Sequence, residues 1–528
     1  MLVIHTVEII FGLMVAIASL ALLARKIRVA YPILFVIGGL VLGLIPGLPP
    51  VRLDPELVFL LFLPPLLYPA ALFTSWRDFR ANLHPISMLA IRLVIISTVV
   101  IAIVAHKLVG LPWAAAFVLG AIVSPPDAVA ATAITTRLRV PRHIITIIEG
   151  ESLVNDATAL VIYRFAVAAV VTGTFSLALA GLEFILVSVG GVLVGAIIGW
   201  LASQIQRHLD DPPVQTTLSL LTPFAAYLAA DHVGVSGVLA VVTAGLYLGW
   251  KSPEITNSRT RFQIFPVWEM VVFFLNGLIF ILIGLQLPQI LENLSGHSLF
   301  KLCWHAALLN LTLIFVRVLW IFAAKHLPDL FRKRNVKGTP RPDWRHTAIV
   351  AWTGMRGVDS MAAAMAVPLC VGDGSPFPGR DAILFHTFAV ILVTLVLQGL
   401  SLPLIIRWLG VVDDGVTQKE ELQARVRTVQ AALARLNQFK GKSDDRALAR
   451  LLVEYENHIH DLEADAKTSN HVSPEHKTTT YEQLLSEALL AERRMILQLR
   501  NEHVINDEVL RRIQRDLDLA ELRLTRTW

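Results

Sequence analysis

The chain is predicted to be an all-α membrane protein of about thirteen transmembrane helices followed by a polar, helical, cytoplasmic tail. Three observations predict it. The 528 residues are 55% hydrophobic, with a mean hydropathy of +0.62, well above a soluble globular domain. Apolar runs recur at membrane-spanning length. The charge distribution also changes abruptly near Gly410. Residues 411–528 hold 18 Lys/Arg and 21 Asp/Glu, whereas the 410 residues before them hold only 48 charged side chains. Residues 1–410 therefore form a membrane domain and 411–528 a separate tail.

A hydrocarbon core needs roughly 20 apolar residues per helix. That ruler places spans near 3–24, 30–46, 57–73, 85–106, 111–136, 143–173, 178–203, 214–231, 234–250, 267–288, 299–324, 345–370 and 381–408. The first run, from Leu2 to Ala24, lacks a basic start and a clear cleavage site. It reads as the first helix and not as a removed signal peptide. The odd-numbered connections carry 19 Lys/Arg, among them Arg25, Arg77, Arg137, Arg207, Lys251 and Arg332. The even-numbered ones carry 4: Arg52, Lys107, Lys301 and Arg380. By the positive-inside rule the N-terminus is outside and the tail is in the cytoplasm, with the chain in the inner (plasma) membrane.

The isoelectric point near 9.2 comes from these loops and not from a basic stripe, so no nucleic-acid partner is expected. Cys303 and Cys370 offer neither a disulfide framework nor zinc spacing. The absence of GxSxG, Walker A and GxGxxG elements argues against an ATP-driven pump or a hydrolase. No enzyme activity and no cofactor are expected. Tail stretches near 418–439, 444–466, 480–503 and 506–526 repeat apolar residues at helical spacing among mixed charges. They read as a solvated helical bundle.

Ionisable residues inside spans are costly and face a cavity or a partner. Here they cluster. The fifth span contains Ser124-Pro125-Pro126-Asp127. Adjacent prolines remove two amide donors and push the preceding residues out of helical geometry. Broken backbone at membrane depth is tolerated where it lines a cavity or is buried in protein. Freed carbonyls beside a carboxylate suit a cation; a simple kink with Asp127 at the membrane edge is the alternative. The sixth span holds Glu151, Ser152, Asn155 and Asp156 on one broad helix face. Their oxygens suit a small hard cation. Asp156 runs straight into a long apolar stretch. Away from water its bare charge is disfavoured, so it holds either a proton or a cation. The twelfth span contains Gly354-Met355-Arg356-Gly357, with Asp359 three residues beyond the arginine. A buried arginine needs a counter-charge, and Glu151 and Asp359 are the acids on offer. Arg92, Arg164 and Arg317 read as snorkelling or locally paired.

Taken together, these residues resemble the monovalent cation:proton antiporter-1 family, the sodium/proton exchangers of bacterial NhaP type, over Leu2 to Gly410. The most specific elements are Glu151-Ser152-Leu153-Val154-Asn155-Asp156, Gly354-Met355-Arg356-Gly357 and Phe62-Leu63-Pro64-Pro65-Leu66-Leu67. The resemblance implies inverted repeats, two crossing broken helices and a homodimer. It implies Asp156 as the main ion-binding carboxylate, with Asp127, Ser152 and the Pro126 carbonyl completing the shell for transported Na+. Asn155 fills the place where electrogenic relatives carry a second aspartate, which implies one cation per proton. Glu151 and Arg356 are implied to form a structural ion pair. The chain departs from the family pattern at Pro126 and Ala128 around Asp127, at Pro69, and at Asp359, where an apolar residue is usual. That last departure allows Arg356 to share its charge between Glu151 and Asp359. The expected activity is secondary antiport of Na+ for H+ in pH and cation homeostasis. The rival readings are a K+-selective antiporter and a transporter-like sensor that signals through its tail.

Overall fold

A computed structural model describes residues 2–27, 31–45, 55–173, 177–256, 258–294, 298–331, 343–372, 374–411, 416–438 and 445–468, with single positions 413, 492, 495, 517 and 519. The chain divides into two compact units, Met1–Asp414 and Gly415–Trp528.

In the first unit, α1 is Leu2–Ile27, α2 Tyr31–Gly43 and α3 Pro55–Phe73. Next comes α4, Leu83–Val109, which includes two π-helical segments. The fifth helical region is split into α5a, Trp113–Val123, and α5b, Ala128–Arg137. It is followed by α6 Arg142–Thr172, α7 Leu177–Arg207, α8 Pro212–His232, α9 Gly237–Ile255, α10 Ser258–Asn293 and α11 Leu299–Phe331. The twelfth region is split as well, into α12a Trp344–Trp352 and α12b Val358–Met365. The last is α13, Arg380–Leu409. Helical segments thus lie over every expected span, and among the described residues 7 helices are long and apolar enough to cross a membrane. Among the described residues there is no strand, only an isolated bridge between Cys370 and Pro376.

Packing repeats with a period of seven helices. α2 lies along α10 and α3 along α9, a pairing that maps onto itself when each helix is exchanged for the one seven places on. Both broken regions, α5 and α12, are also seven apart. The buried interior is apolar, with Phe35, Phe62, Ile101, Leu119, Ile279 and Val390 inside it. Outward faces remain apolar too: α7 exposes Ile185, Leu186, Val189, Leu193 and Ile197. In water such a face would be an anomaly, but against lipid tails it carries no cost.

In the second unit α14, Val416–Asn437, packs against α15, Asp445–Thr468. The helices expected near 480–503 and 506–526 lie outside the described residues, apart from single positions.

Candidate functional site

The fifth region breaks where its prolines require it. Ser124 to Asp127 are non-helical, and helix resumes at Ala128. Asp127 caps the new start: its Oδ1 accepts from the Val129 amide at 2.8 Å, satisfying one of the free donors of a helix N-terminus. The twelfth region unwinds over residues 353–357, around Gly354 and Gly357. The two breaks cross and touch through the Asp127 amide, which donates to the Met355 carbonyl at 2.7 Å.

Four half-helix ends therefore meet inside the protein, and each finds a matching charge. The C-terminus of α5a receives Arg356, whose Nε donates to Val123 O at 2.9 Å and whose Nη2 donates to Ser124 O at 3.2 Å. Its Nη1 turns back to Gly354 O. The C-terminus of α12a receives Arg317, which donates to Val350 O at 3.0 Å. At the other two ends, the Asp127 carboxylate meets the starts of α5b and α12b, where the Val129 and Val358 amides point at it. Cations at helix C-termini and an anion at N-termini are the favourable assignments for the helix dipole.

Two expected pairings are corrected by this geometry. Glu151 pairs with Arg317, not Arg356: the two bonds are 2.5 and 2.9 Å, and both residues are 1% exposed. Arg317 is thus neither snorkelling nor local. Its helix, α11, runs on to Phe331, and Arg317 itself is buried inside the protein. Arg356 is satisfied by carbonyls, with its own amide donating to Thr394 Oγ1 at 3.1 Å. Asp359 does not share it. Residues 353–357 are unwound, so three residues of spacing do not put Arg356 and Asp359 on one helix face.

Instead Asp359 joins the carboxylates. A cavity of about 350 Å³ is lined by Asp127, Ser152, Asp156 and Asp359, with Asn276 and Trp268 opposite. Its rim includes Thr74, Glu149 and Phe265, at the ends of α3, α6 and α10 that border odd-numbered connections. A second cavity, of about 620 Å³, lies among the even-numbered connections, beside Pro112, Lys301, His305 and Arg380. A third void, of about 10 Å³, shares Asp156 and Asp359 with the first cavity and is also lined by Leu160, Tyr163 and Ala363.

Asp156 is 4% exposed, and no described hydrogen bond occupies its carboxylate. Ser152 Oγ accepts from the Ala128 amide at 3.2 Å and so ties α6 to the start of α5b. Pro126 and Asn155 stand behind the cavity. The Asn155 amide donates to the Pro126 carbonyl at 2.9 Å, so this carbonyl positions the break and does not line the cavity. Among the described residues no three His, Cys, Asp or Glu side chains converge on a resident metal centre. The carboxylates face an open cavity. Elsewhere Arg164, on α6, pairs with exposed Asp231 at the end of α8 at 3.3 Å, 67 positions away, so this pairing is not local either.

A sequence profile described as sodium/hydrogen exchanger, transmembrane, matches residues 12–408. The chain belongs to the sodium/hydrogen exchanger family. This exchanger is 36% identical over 531 residues to "Uncharacterized Na(+)/H(+) exchanger Rv2287" of Mycobacterium tuberculosis, covering 98% of this chain and 96% of that one. It is 32% identical over 438 residues to the "Sodium, potassium, lithium and rubidium/H(+) antiporter" of Bacillus subtilis, covering 81% of this chain and 65% of that one. Its fold resembles that of the sodium proton antiporter MjNhaP1 from Methanocaldococcus jannaschii. The TM-score is 0.59 at 19% identity, over 76% of this chain and 98% of the other.

The exchanger's two unwound-segment glycines are there for close approach. A Cβ on Gly354 would stand 2.5 Å from Arg317 Cδ, and one on Gly357 would overlap Asp127 Oδ2. Gly357→Ala must therefore push Asp127 off the two helix N-termini. Displacements of about 1 Å at a reacting group cost on the order of 100-fold in turnover. Gly357→Ala is expected to lose about that much cation-driven proton flux in liposomes. Unchanged flux would show that Asp127 has no positional role.

Proposed function

We propose that this chain is a secondary antiporter that exchanges Na+ for H+ across the plasma membrane through Asp156. One observation carries the reading: Asp156 is deeply buried and unpaired, yet borders a cavity that ends at the helix crossing. A carboxylate removed from water must be neutralised by a proton or a cation. If only the neutralised site crosses between the two cavities, each passage of a cation requires the return of protons, with no other energy source. Asp127 and the Ser152 hydroxyl supply further oxygens beside Asp156, and water in the cavity completes the shell. The open route to Asp156 borders the positively charged connections, so this conformation is read as facing the cytoplasm.

The test is proton flux in proteoliposomes carrying an imposed pH gradient. Addition of Na+ or Li+ is expected to move protons in the opposite direction. The breadth of the Bacillus subtilis relative's name makes K+ and Rb+ necessary arms of the same assay. No proton movement with any of the four cations would overturn the reading. The sensor alternative predicts normal flux after removal of residues 415–528 together with loss of a cellular response.

The reading includes a homodimer and an outer N-terminus. The second point has a direct check in Cys370, an exposed thiol between α12b and α13. A membrane-impermeant maleimide is expected to label it in intact cells, with Cys303 replaced by serine. Labelling only after permeabilisation would invert the topology.

A further inference from the structure

The one-for-one expectation rests on Asn155, which counts the carboxylates along the sixth span alone. The fold supplies another from the opposite broken helix. Asp359 stands in the first turn of α12b and borders the same cavity as Asp156 and Asp127. With Asp156 it also lines the adjoining void of about 10 Å³. Its Oδ1 is buried with no hydrogen-bond partner.

The cations nearby are already engaged. Arg317 holds Glu151 and Val350, and Arg356 is spread over Val123, Ser124 and Gly354. Asp127 is compensated by the amides of two helix starts. Around the cavity the other ionisable groups are Glu149 and Glu269, with Tyr163 in the lining of the small adjoining void. The α3 wall contributes none; Leu66, Pro69 and Thr74 line it. Asp156 and Asp359 are therefore two carboxylates lining one cavity with no fixed cation among the residues around them.

Resting on the exchange reading above, we propose that Asp359 is a second proton-carrying ligand of the exchange site, so that two protons return for each cation. The charge balance follows. A site holding two protons on Asp156 and Asp359 is neutral relative to the two acids. A site holding one Na+ between two carboxylates carries one negative charge. Each full cycle then moves one net positive charge in the direction of the protons, and the exchange responds to membrane potential.

Two readouts on the full chain in proteoliposomes test this. The first is the rate under a potassium–valinomycin clamp, with Na+ as the driving cation. Wild-type exchange is expected to accelerate when the potential favours proton entry, and Asp359→Asn to exchange Na+ with no dependence on potential. The second is the apparent KM for Na+ as pH falls. When two protons must leave before a cation binds, mass action raises KM by up to about 100-fold per pH unit; with one proton the limit is about tenfold. Wild type is expected to exceed the tenfold limit and Asp359→Asn to obey it. Asp359→Glu, which keeps the charge, is expected to retain the steeper dependence.

Wild-type exchange that ignores potential and stays within the tenfold limit would overturn the inference even if the variants fail to fold. So would an Asp359→Asn protein as voltage-sensitive as wild type. Those outcomes leave antiport standing, whereas absence of any cation-driven proton movement would remove the exchange reading and this one with it.

Discussion

Replacing Asp156 by asparagine is expected to abolish exchange, lowering Na+-driven proton flux by at least about 100-fold, a loss of the size seen when a group that carries the proton is removed. The substitution keeps the volume and planar shape of the side chain, so the effect isolates titration from packing. Asp156 makes no described hydrogen bond whose loss would disturb α6, and the tie from Ser152 to the Ala128 amide is independent of it. The protein should therefore reach the membrane in normal amount and melt within a few degrees of wild type. The measurements are flux in proteoliposomes and melting temperature in detergent, made on the same preparation. Robust Na+-driven flux from a well-folded Asp156→Asn protein would take Asp156 out of the mechanism. Asp156→Glu separates geometry from charge: it should exchange, but more slowly, because one added methylene displaces the carboxylate from a site whose adjoining void has room for only about 10 Å³.

The largest stability loss is expected at Arg317, a residue that never touches the cavity. Arg317→Ala leaves Glu151 1% exposed and without its two bonds. It also uncovers the Val350 carbonyl at the end of α12a. Breaking one side of a buried ion pair typically costs about 3–5 kcal/mol, because the abandoned charge has no water to return to. That is a large part of the margin of a folded domain. Glu151→Gln should cost less than Arg317→Ala, since the arginine keeps the Val350 carbonyl. In the double variant Glu151→Gln/Arg317→Met the burdens partly cancel, so its loss should be smaller than the sum of the single losses. Melting temperature in detergent reads all of these. Strict additivity would show that the pair is not a unit. Arg356→Ala is expected to destabilise too, but by uncapping α5a and not by freeing an acid. The Glu151→Gln change should therefore leave its cost unaltered.

Much of this architecture is local chemistry and could be read along the chain. The break at Ser124–Asp127 follows from Pro125 and Pro126, which lack amide donors wherever they are placed. The shared face of Glu151, Ser152 and Asp156 follows from the spacing of an unbroken helix. The apolar runs and their charged connections follow from the solvent, because a lipid core tolerates only satisfied backbone and apolar side chains. These are constraints between residues within a turn or two of each other, or between a residue and the bilayer.

What the sequence by itself determined, then, was a bundle of membrane-length helices with two interrupted ones, and a set of buried oxygens centred on Asp156. Only the tertiary structure decided who partners whom. Glu151 and Arg317 lie 166 positions apart, and no periodicity links them; α11 meets α6 only once the bundle has closed. Asp359 was the harder case. Its spacing from Arg356 promised a pair, but the unwound backbone between 353 and 357 resets the helical phase, turning the arginine to the carbonyls of α5a and the aspartate to the cavity. Sequence spacing predicts contact only while the backbone between two residues stays regular. At a crossing of broken helices, where function needs free ends and open space, that condition fails.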